Sequence, residues 1–234
     1  YGRHNIGFLW LVLEPMLFTL GITAAWTLMK QSHGSHLPIT AFAVTGYSSI
    51  LLWRNCSNRI VKSLEPNLSL LYHRNVRVPD IFLARLILEI AGASASFILL
   101  TLAFSAAGMM EMPEDLLTAL MGWILLAWFT IALSLIVGAV SERSEFVERV
   151  WHIVTYLTFP FSGAAFMVDW LPQNFRKIAS LVPMVQGTEM IRHGFFGSTV
   201  RTYEDPAYFV FINTVVSFIG LSLVRVSGRR VQLE

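Results

Sequence analysis

The sequence predicts an all-α integral membrane protein of six transmembrane helices, with a short helix on the cytoplasmic side and a re-entrant helix pair on the outer side. Three observations predict it. Of 234 residues, 55% are hydrophobic and only 14% charged, with a mean hydropathy of +0.59, against about 25% charged in soluble domains. A folded surface is already more than half apolar, so a soluble fold has nowhere to hide the excess, whereas lipid solvates it. The apolar residues gather into runs near the roughly 20 residues that a helical span needs. Lys and Arg are shared unequally between alternate connections, as in membrane proteins.

Taken in order, the spans fall at 7–29, 38–59, 80–110, 116–140, 150–168 and 206–226. The first is interrupted only by Glu14 and Pro15. The second is apolar to Trp53 and then polar, through Arg54 to Arg59. The third carries Arg85 and Glu89 in its first half, the fourth has no charge, the fifth is short, and the sixth has no charge in its apolar stretch. Inside lipid the backbone must satisfy its own hydrogen bonds, so these runs read as helices. Alternation over about ten residues, the barrel pattern, does not occur. With the amino end inside, twelve of the seventeen Lys and Arg lie on the inner side, and the outer turn Glu111 to Asp115 holds three acids and no base. Both termini are therefore expected in the cytoplasm, and 1–234 reads as one membrane domain.

Two connections exceed what a turn requires. In 60–79, Pro66 can open a helix with Glu65 at its positive end, and Leu68, Leu71 and Tyr72 then share a face. Beside Arg74 and Arg77 this suits either a helix lying on acidic headgroups or a knob that docks a cytoplasmic partner. The outer stretch 169–197 stays half apolar. Pro172 and Pro183 can each begin a short helix, and Gly187, Gly194 and Gly197 can end or bend one. A re-entrant hairpin, buried in protein or facing water, fits better than a pair lying flat.

The search for chemistry excludes several classes. No G-x-x-x-x-G-K-[ST] run and no dinucleotide glycine pattern is present. His33 and His36 sit in a Gly/Ser turn without Cys or acid and read as solvated, so no metal site is expected. Serines lack a placed His and acid. A net charge of +2 without a basic run argues against nucleic acid. The single Cys56 excludes an internal disulfide. Tyr1 is not a natural start, so residues are expected before it, and the sequence in hand shows no signal peptide.

Charges within lipid are expensive and mark function or pairing. Glu14, followed by the helix-bending Pro15, either faces a pathway or bonds a neighbouring helix. Arg85 and Glu89, one turn apart, can pair with each other. Arg54 and Arg59 at the inner mouth either anchor the topology or attract an acidic substrate. The small residues from Ala91 to Ser96 permit close helix packing, within the chain or across a dimer. Most Trp residues fall near span ends, as interface belts do. Tyr47, Trp128, Tyr156 and Phe159 lie deeper, where they either pack or line a path on which sugar rings can stack.

The opening Y-G-R-H-N-I-G-F-L-W-L-V-L-E-P-M-L-F-T-L-G-I, together with P-M-V-Q-G-T-E-M-I-R-H-G-F-F-G at 183–197, resembles capsule polysaccharide export permeases. These are the membrane subunits of type-2 ABC exporters in Gram-negative inner membranes. The likeness runs through essentially the whole chain; its second motif is shared more loosely with exporters of O antigen and teichoic acid. The resemblance implies a permease homodimer paired with two copies of a separate ATPase, with ATP and Mg bound there and no cofactor in this chain. It implies that 60–79, with Glu65, Pro66, Leu68, Leu71, Tyr72 and Arg74, is the coupling helix, and that 169–197, with Asp169, Pro183 and Arg192, holds the periplasmic gate. Expected partners also include a periplasmic co-polymerase and an outer-membrane export protein. The expected substrate is a lipid-linked capsular polysaccharide; another glycan is the alternative, and a small molecule a more distant one. Glu14, Tyr47, Arg54, Arg59, Trp128, Tyr156 and Phe159 are the candidate path residues.

Overall fold

The computed structural model describes residues 6–28, 37–71 and 76–231, which fold as helices and 3-10 turns. The helices are α1 (Ile6–Leu28), α2 (Ile39–Arg59), a single turn α3 (Leu68–Leu71), α4 (Val78–Ala106), α5 (Leu116–Ser141), α6 (Glu145–Leu157), α7 (Gln173–Ser180), α8 (Pro183–Phe196) and α9 (Pro206–Val231). Four of them, α1, α4, α5 and α9, are long and apolar enough to cross a membrane. Each buries one side and leaves apolar residues such as Leu17, Ile98, Ile124 and Phe218 exposed, which is how a bundle surrounded by lipid differs from a water-soluble one.

α2 is different. Every residue from Thr40 to Trp53 is buried, because α1, α4, α5 and α8 surround it. Its hydroxyls turn back onto their own helix: Thr45 donates to the carbonyl of Ala41 (2.8 Å) and Ser49 to that of Thr45 (2.6 Å). A helix too polar for lipid is thereby acceptable at the centre of protein. At 21 residues and about 1.5 Å per residue, it matches the roughly 30 Å hydrocarbon thickness.

The expected fifth span is not one helix. α6 stops at Leu157, after 13 residues, about 20 Å of rise. A 3-10 turn at Phe159–Phe161 follows, and Gly163 then takes φ 79°, which non-glycine residues rarely adopt. Pro160, lacking an N–H, cannot continue the α-helical ladder. The segment still runs antiparallel to α2 from end to end. Thr155 meets Asn58, Phe159 meets Tyr47, Ala164 meets Gly46, and Trp170 stacks on Phe42 at 5.1 Å.

The bundle has two ends. The near end holds 60–71 with the close of α5 and the start of α4; Cys56, Ile60, Leu64, Phe82 and Leu86 form its core. The far end holds the turn 107–115 and the segments around α7 and α8, over a core that includes Phe42, Phe97, Trp123 and Phe195. Phe97 and Trp123 stack there at 4.5 Å. Gly108 at φ 70° closes α4, and Asp115 opens α5 by accepting the N–H groups of Leu117 and Thr118 at 3.0 and 3.2 Å, the ordinary N-cap geometry. The small residues of α4 pack within the chain: Gly92 lies against Leu11 of α1, and Ser96 donates to the carbonyl of Val12.

Candidate functional site

At the near end, the described residues 60–71 hold two short helical elements. A 3-10 turn at Glu65–Asn67, with Pro66 in its first positions, runs into the single turn α3. Its base is tied down. Ile60 and Leu64 are buried in the near-end core. The Leu64 N–H donates to Glu142 Oε1 at 3.0 Å, and the Lys62 N–H to Ser141 Oγ at 3.4 Å. Burial raises the Glu142 carboxyl above its ordinary pKa, and the Leu64 N–H partly opposes this. Lys62 itself sits at φ 52°, a left-handed conformation that costs a side-chain-bearing residue about 1–2 kcal/mol. Above this base Glu65, Pro66 and Leu68 are exposed, while Leu71 packs partly into the core. Leu68 and Leu71 therefore do not share one outward face. Tyr72 and Arg74 lie outside the described residues.

Immediately before this tip, four charges of the described residues meet. Arg59, the last residue of α2, donates to Glu14 of α1, and its Nε lies 3.2 Å from Glu89 Oε2 of α4. The second carboxylate oxygen of Glu89 is 3.4 Å from Arg85 Nε. Glu89 is buried. A buried charge is tolerated where it is balanced and bonded, and Glu89 here faces Arg59 and Arg85, both partly exposed. The pairing expected between Arg85 and Glu89 is present as part of this larger group, and Arg59 joins both halves of it.

Further along α2, Tyr47, Arg54, Tyr156 and Phe159 come together. Tyr47 meets Phe159 edge-on at 5.8 Å, and the Arg54 guanidinium lies 5.5 Å from the centre of the Tyr156 ring, a cation–π distance. Tyr156 is 66% exposed, so this face opens outward from the bundle. Trp128 is elsewhere: on α5, it donates to Ser217 Oγ of α9 at 2.9 Å and ties those helices together.

At the far end, α8 is buried along most of its length. Its glycines neither end nor bend it at 187 and 194; they let it lie against Leu126 and Ala119 of α5. Gly197, at φ 49°, does end it. Pro183 occupies the first turn. Arg192, with no exposed surface, donates to the carbonyls of Gly163 (2.6 Å), Phe166 (2.6 Å) and Ala164 (2.7 Å). Its guanidinium is 3.9 Å from the Phe42 ring centre. Glu189 accepts the Val168 N–H at 3.2 Å, and Gln186 accepts that of Asp205 at 2.6 Å. One helix thus holds two segments, 163–168 and that at Asp205, by side chain to backbone bonds.

α7 is its opposite. Phe175, Ile178 and Leu181 are exposed along one side, and Arg176 reaches back to the carbonyls of Asp169 and Leu171 at 2.6 and 2.7 Å. Asp169 accepts Tyr203 Oη–H at 3.1 Å. Beside it opens a cavity of about 660 Å³ lined by Glu111, Glu114, Asp169, Trp170, Phe196 and Arg201, among others. His193 pairs with Glu204. Among the described residues no group of His, Cys, Asp and Glu is arranged to hold a metal ion.

Sequence reasoning named Arg192 but not Gln186 or Glu189. The signal was present: three polar residues at three-residue intervals in M-V-Q-G-T-E-M-I-R, within a half-apolar stretch, mark a helix whose polar side has protein to bond. It also kept Glu89 within its own helix, because a partner on α2 has no sequence spacing to announce it.

The family described as ABC-2 type transporter matches residues 1–196. The capsule polysaccharide export inner-membrane protein CtrC of Neisseria meningitidis serogroup B is 47% identical over 224 residues, covering 96% of this chain and 84% of that protein. BexB of Haemophilus influenzae, described in the same words, is 44% identical over 225 residues, covering 96% and 85%. The polysialic acid transport protein KpsM of Escherichia coli is 24% identical over 225 residues, covering 96% and 87%.

Proposed function

Because this chain belongs to the ABC-2 type transporter family, we propose that it is the membrane subunit of an exporter that moves capsular polysaccharide across the bacterial inner membrane. A separate ATPase would drive it. The observation that carries the reading is the 47% identity, over 96% of the chain, to a protein named for capsule polysaccharide export in the inner membrane. The geometry supports it. The near end offers an exposed tip on a fixed base, suited to receive force from a cytoplasmic partner. One side of the bundle offers an aromatic and cationic face, Arg54, Tyr156 and Phe159 over the buried Tyr47, on which sugar rings stack and acidic groups are attracted.

In this reading the near end and both termini are cytoplasmic. The chain crosses six times, with α6 and the irregular segment to Met167 together making the fifth crossing, and α7 and α8 form the outer re-entrant pair. A second copy completes the path, because the Tyr156 face opens outward and encloses nothing by itself. Two ATPase copies bind the two tips. ATP binding draws the ATPases together, the tips move with them, and the path is reopened for the next length of polymer. The substrate is anchored to lipid, and the periplasmic co-polymerase and outer-membrane export protein lie beyond the far end. In this reading Asp169, Pro183 and Arg192 are assigned to the gate.

The test is export in cells. A capsule-producing strain deleted for its own permease should regain surface polysaccharide when this chain and its ATPase are supplied. Polymer retained in the cytoplasm despite normal insertion of both proteins would reject the substrate. Surface delivery of O antigen in its place would favour the other glycan class.

A further inference from the structure

We propose that Arg59 is the positioning residue that carries movement of the 60–71 tip sideways into α1 and α4. The proposal rests on the export reading above.

Apolar contacts between helices slide, because dispersion has no preferred direction. A push delivered at the tip would therefore reach α2 and fade at its neighbours. Charge-assisted hydrogen bonds behave otherwise, being short, directional and strong where water is scarce. Arg59 makes such a connection where it matters, at the last turn of α2, six residues before the exposed Glu65. Its guanidinium holds Glu14 of α1 and, through Nε at 3.2 Å, Glu89 of α4. Arg85 steadies the far oxygen of Glu89 at 3.4 Å, so the acceptor does not swing away.

Two further features fit a lever. Glu14 is followed by Pro15 within α1, where a backbone hydrogen bond is missing and the helix bends most readily. The pull is applied beside the weak point. On its other side the tip is held to α5, through Glu142 Oε1 and Ser141 Oγ. Among the described residues, movement of the tip thus has bonded exits to the end of α5 and, through Arg59, to α1 and α4. A purely structural cluster would need neither the placement at the helix end nor the adjacent proline.

The experiment uses the full permease–ATPase complex in proteoliposomes, with capsule glycolipid as substrate, and compares wild type with Glu14→Gln, Arg59→Lys and Arg59→Gln. Polymer exported and ATP hydrolysed are both measured. Glu14→Gln leaves Arg59 its Glu89 partner, so the complex should assemble normally. It should export about tenfold less polymer per ATP, within the span of ordinary inter-site coupling. Arg59→Gln should be as severe or worse, and Arg59→Lys intermediate. Unchanged polymer per ATP in Glu14→Gln, or a loss explained entirely by failed assembly, overturns the proposal. Failure of wild type to export overturns the functional reading instead.

Discussion

Arg59, a quarter exposed at the end of α2, and Arg192, wholly buried in α8, are held in different ways. Arg59 is held by two carboxylates on two other helices. Arg192 is held by three backbone carbonyls of one loop and by an aromatic face. A carboxylate can be turned or neutralised, and it sits on a helix that can move. A carbonyl belongs to the chain path itself. The first arrangement suits a joint between moving parts, and the second suits a rivet that gives an irregular segment one conformation. The irregular segment needs it, because 158–167 abandons the α-helical ladder within a bundle where each unmatched backbone group is costly.

The comparison is tested most severely by Arg192→Ala. Three carbonyls lose their donor, at about 1–3 kcal/mol for each buried group left unsatisfied. Folded, monodisperse protein should be nearly absent after detergent extraction, and Arg192→Lys should recover only part of it, since one ammonium cannot match the planar fork. Next is Gly46→Ala. A Cβ there would overlap the Ala164 carbonyl and the Arg192 guanidinium, so overpacking should cost about 1–3 kcal/mol, read as a lowered thermal midpoint. Glu89→Gln weakens the other arginine's cluster while Glu14 remains; it should lower the midpoint less than Arg192→Ala and reduce export more than stability.

Smaller still is Leu68→Asp. Leu68 is 47% exposed, so stability should shift by no more than about 0.5 kcal/mol, yet copurification with the ATPase should fall sharply. The smallest effect belongs to Glu142→Gln. The raised carboxyl means that the folded state holds its proton more tightly than the unfolded state does. Its contribution is thus favourable at low pH and is lost as pH rises through the folded value. Gln keeps an acceptor for Leu64 without the charge. The variant should melt slightly above wild type at neutral pH, and the difference should shrink as pH falls into the carboxylate range.

The sequence was most readable where one residue type decides the outcome. The spans of α1, α4, α5 and α9 follow from apolar runs, and their ends were placed to within a few residues. α2 was placed by length despite its hydroxyls. The fifth run reads as one helix by apolar content alone, and Pro160 and Gly163 break that helix after Leu157. Within 60–79 the pattern at Pro66, Leu68, Leu71 and Tyr72 reads as a short helix, and the described residues hold a 3-10 turn at Glu65–Asn67 followed by helix from Leu68. Ile60 and Leu64 fix its base in the near-end core. Of the path candidates, Tyr47, Arg54, Tyr156 and Phe159 converge and Trp128 does not, since which side of a buried helix a residue faces depends on neighbours far along the chain. The Arg59 cluster joins positions 14, 59 and 89, and no local spacing could have assembled it.

The central claim is that this chain converts ATP hydrolysis by a partner into movement of a capsular polymer. It is tested most directly by purifying the chain with its ATPase in lipid and measuring hydrolysis with and without capsule glycolipid. The account predicts a rate that rises with glycolipid and loses that rise in Leu68→Asp. Hydrolysis indifferent to glycolipid in the intact wild-type complex would contradict it.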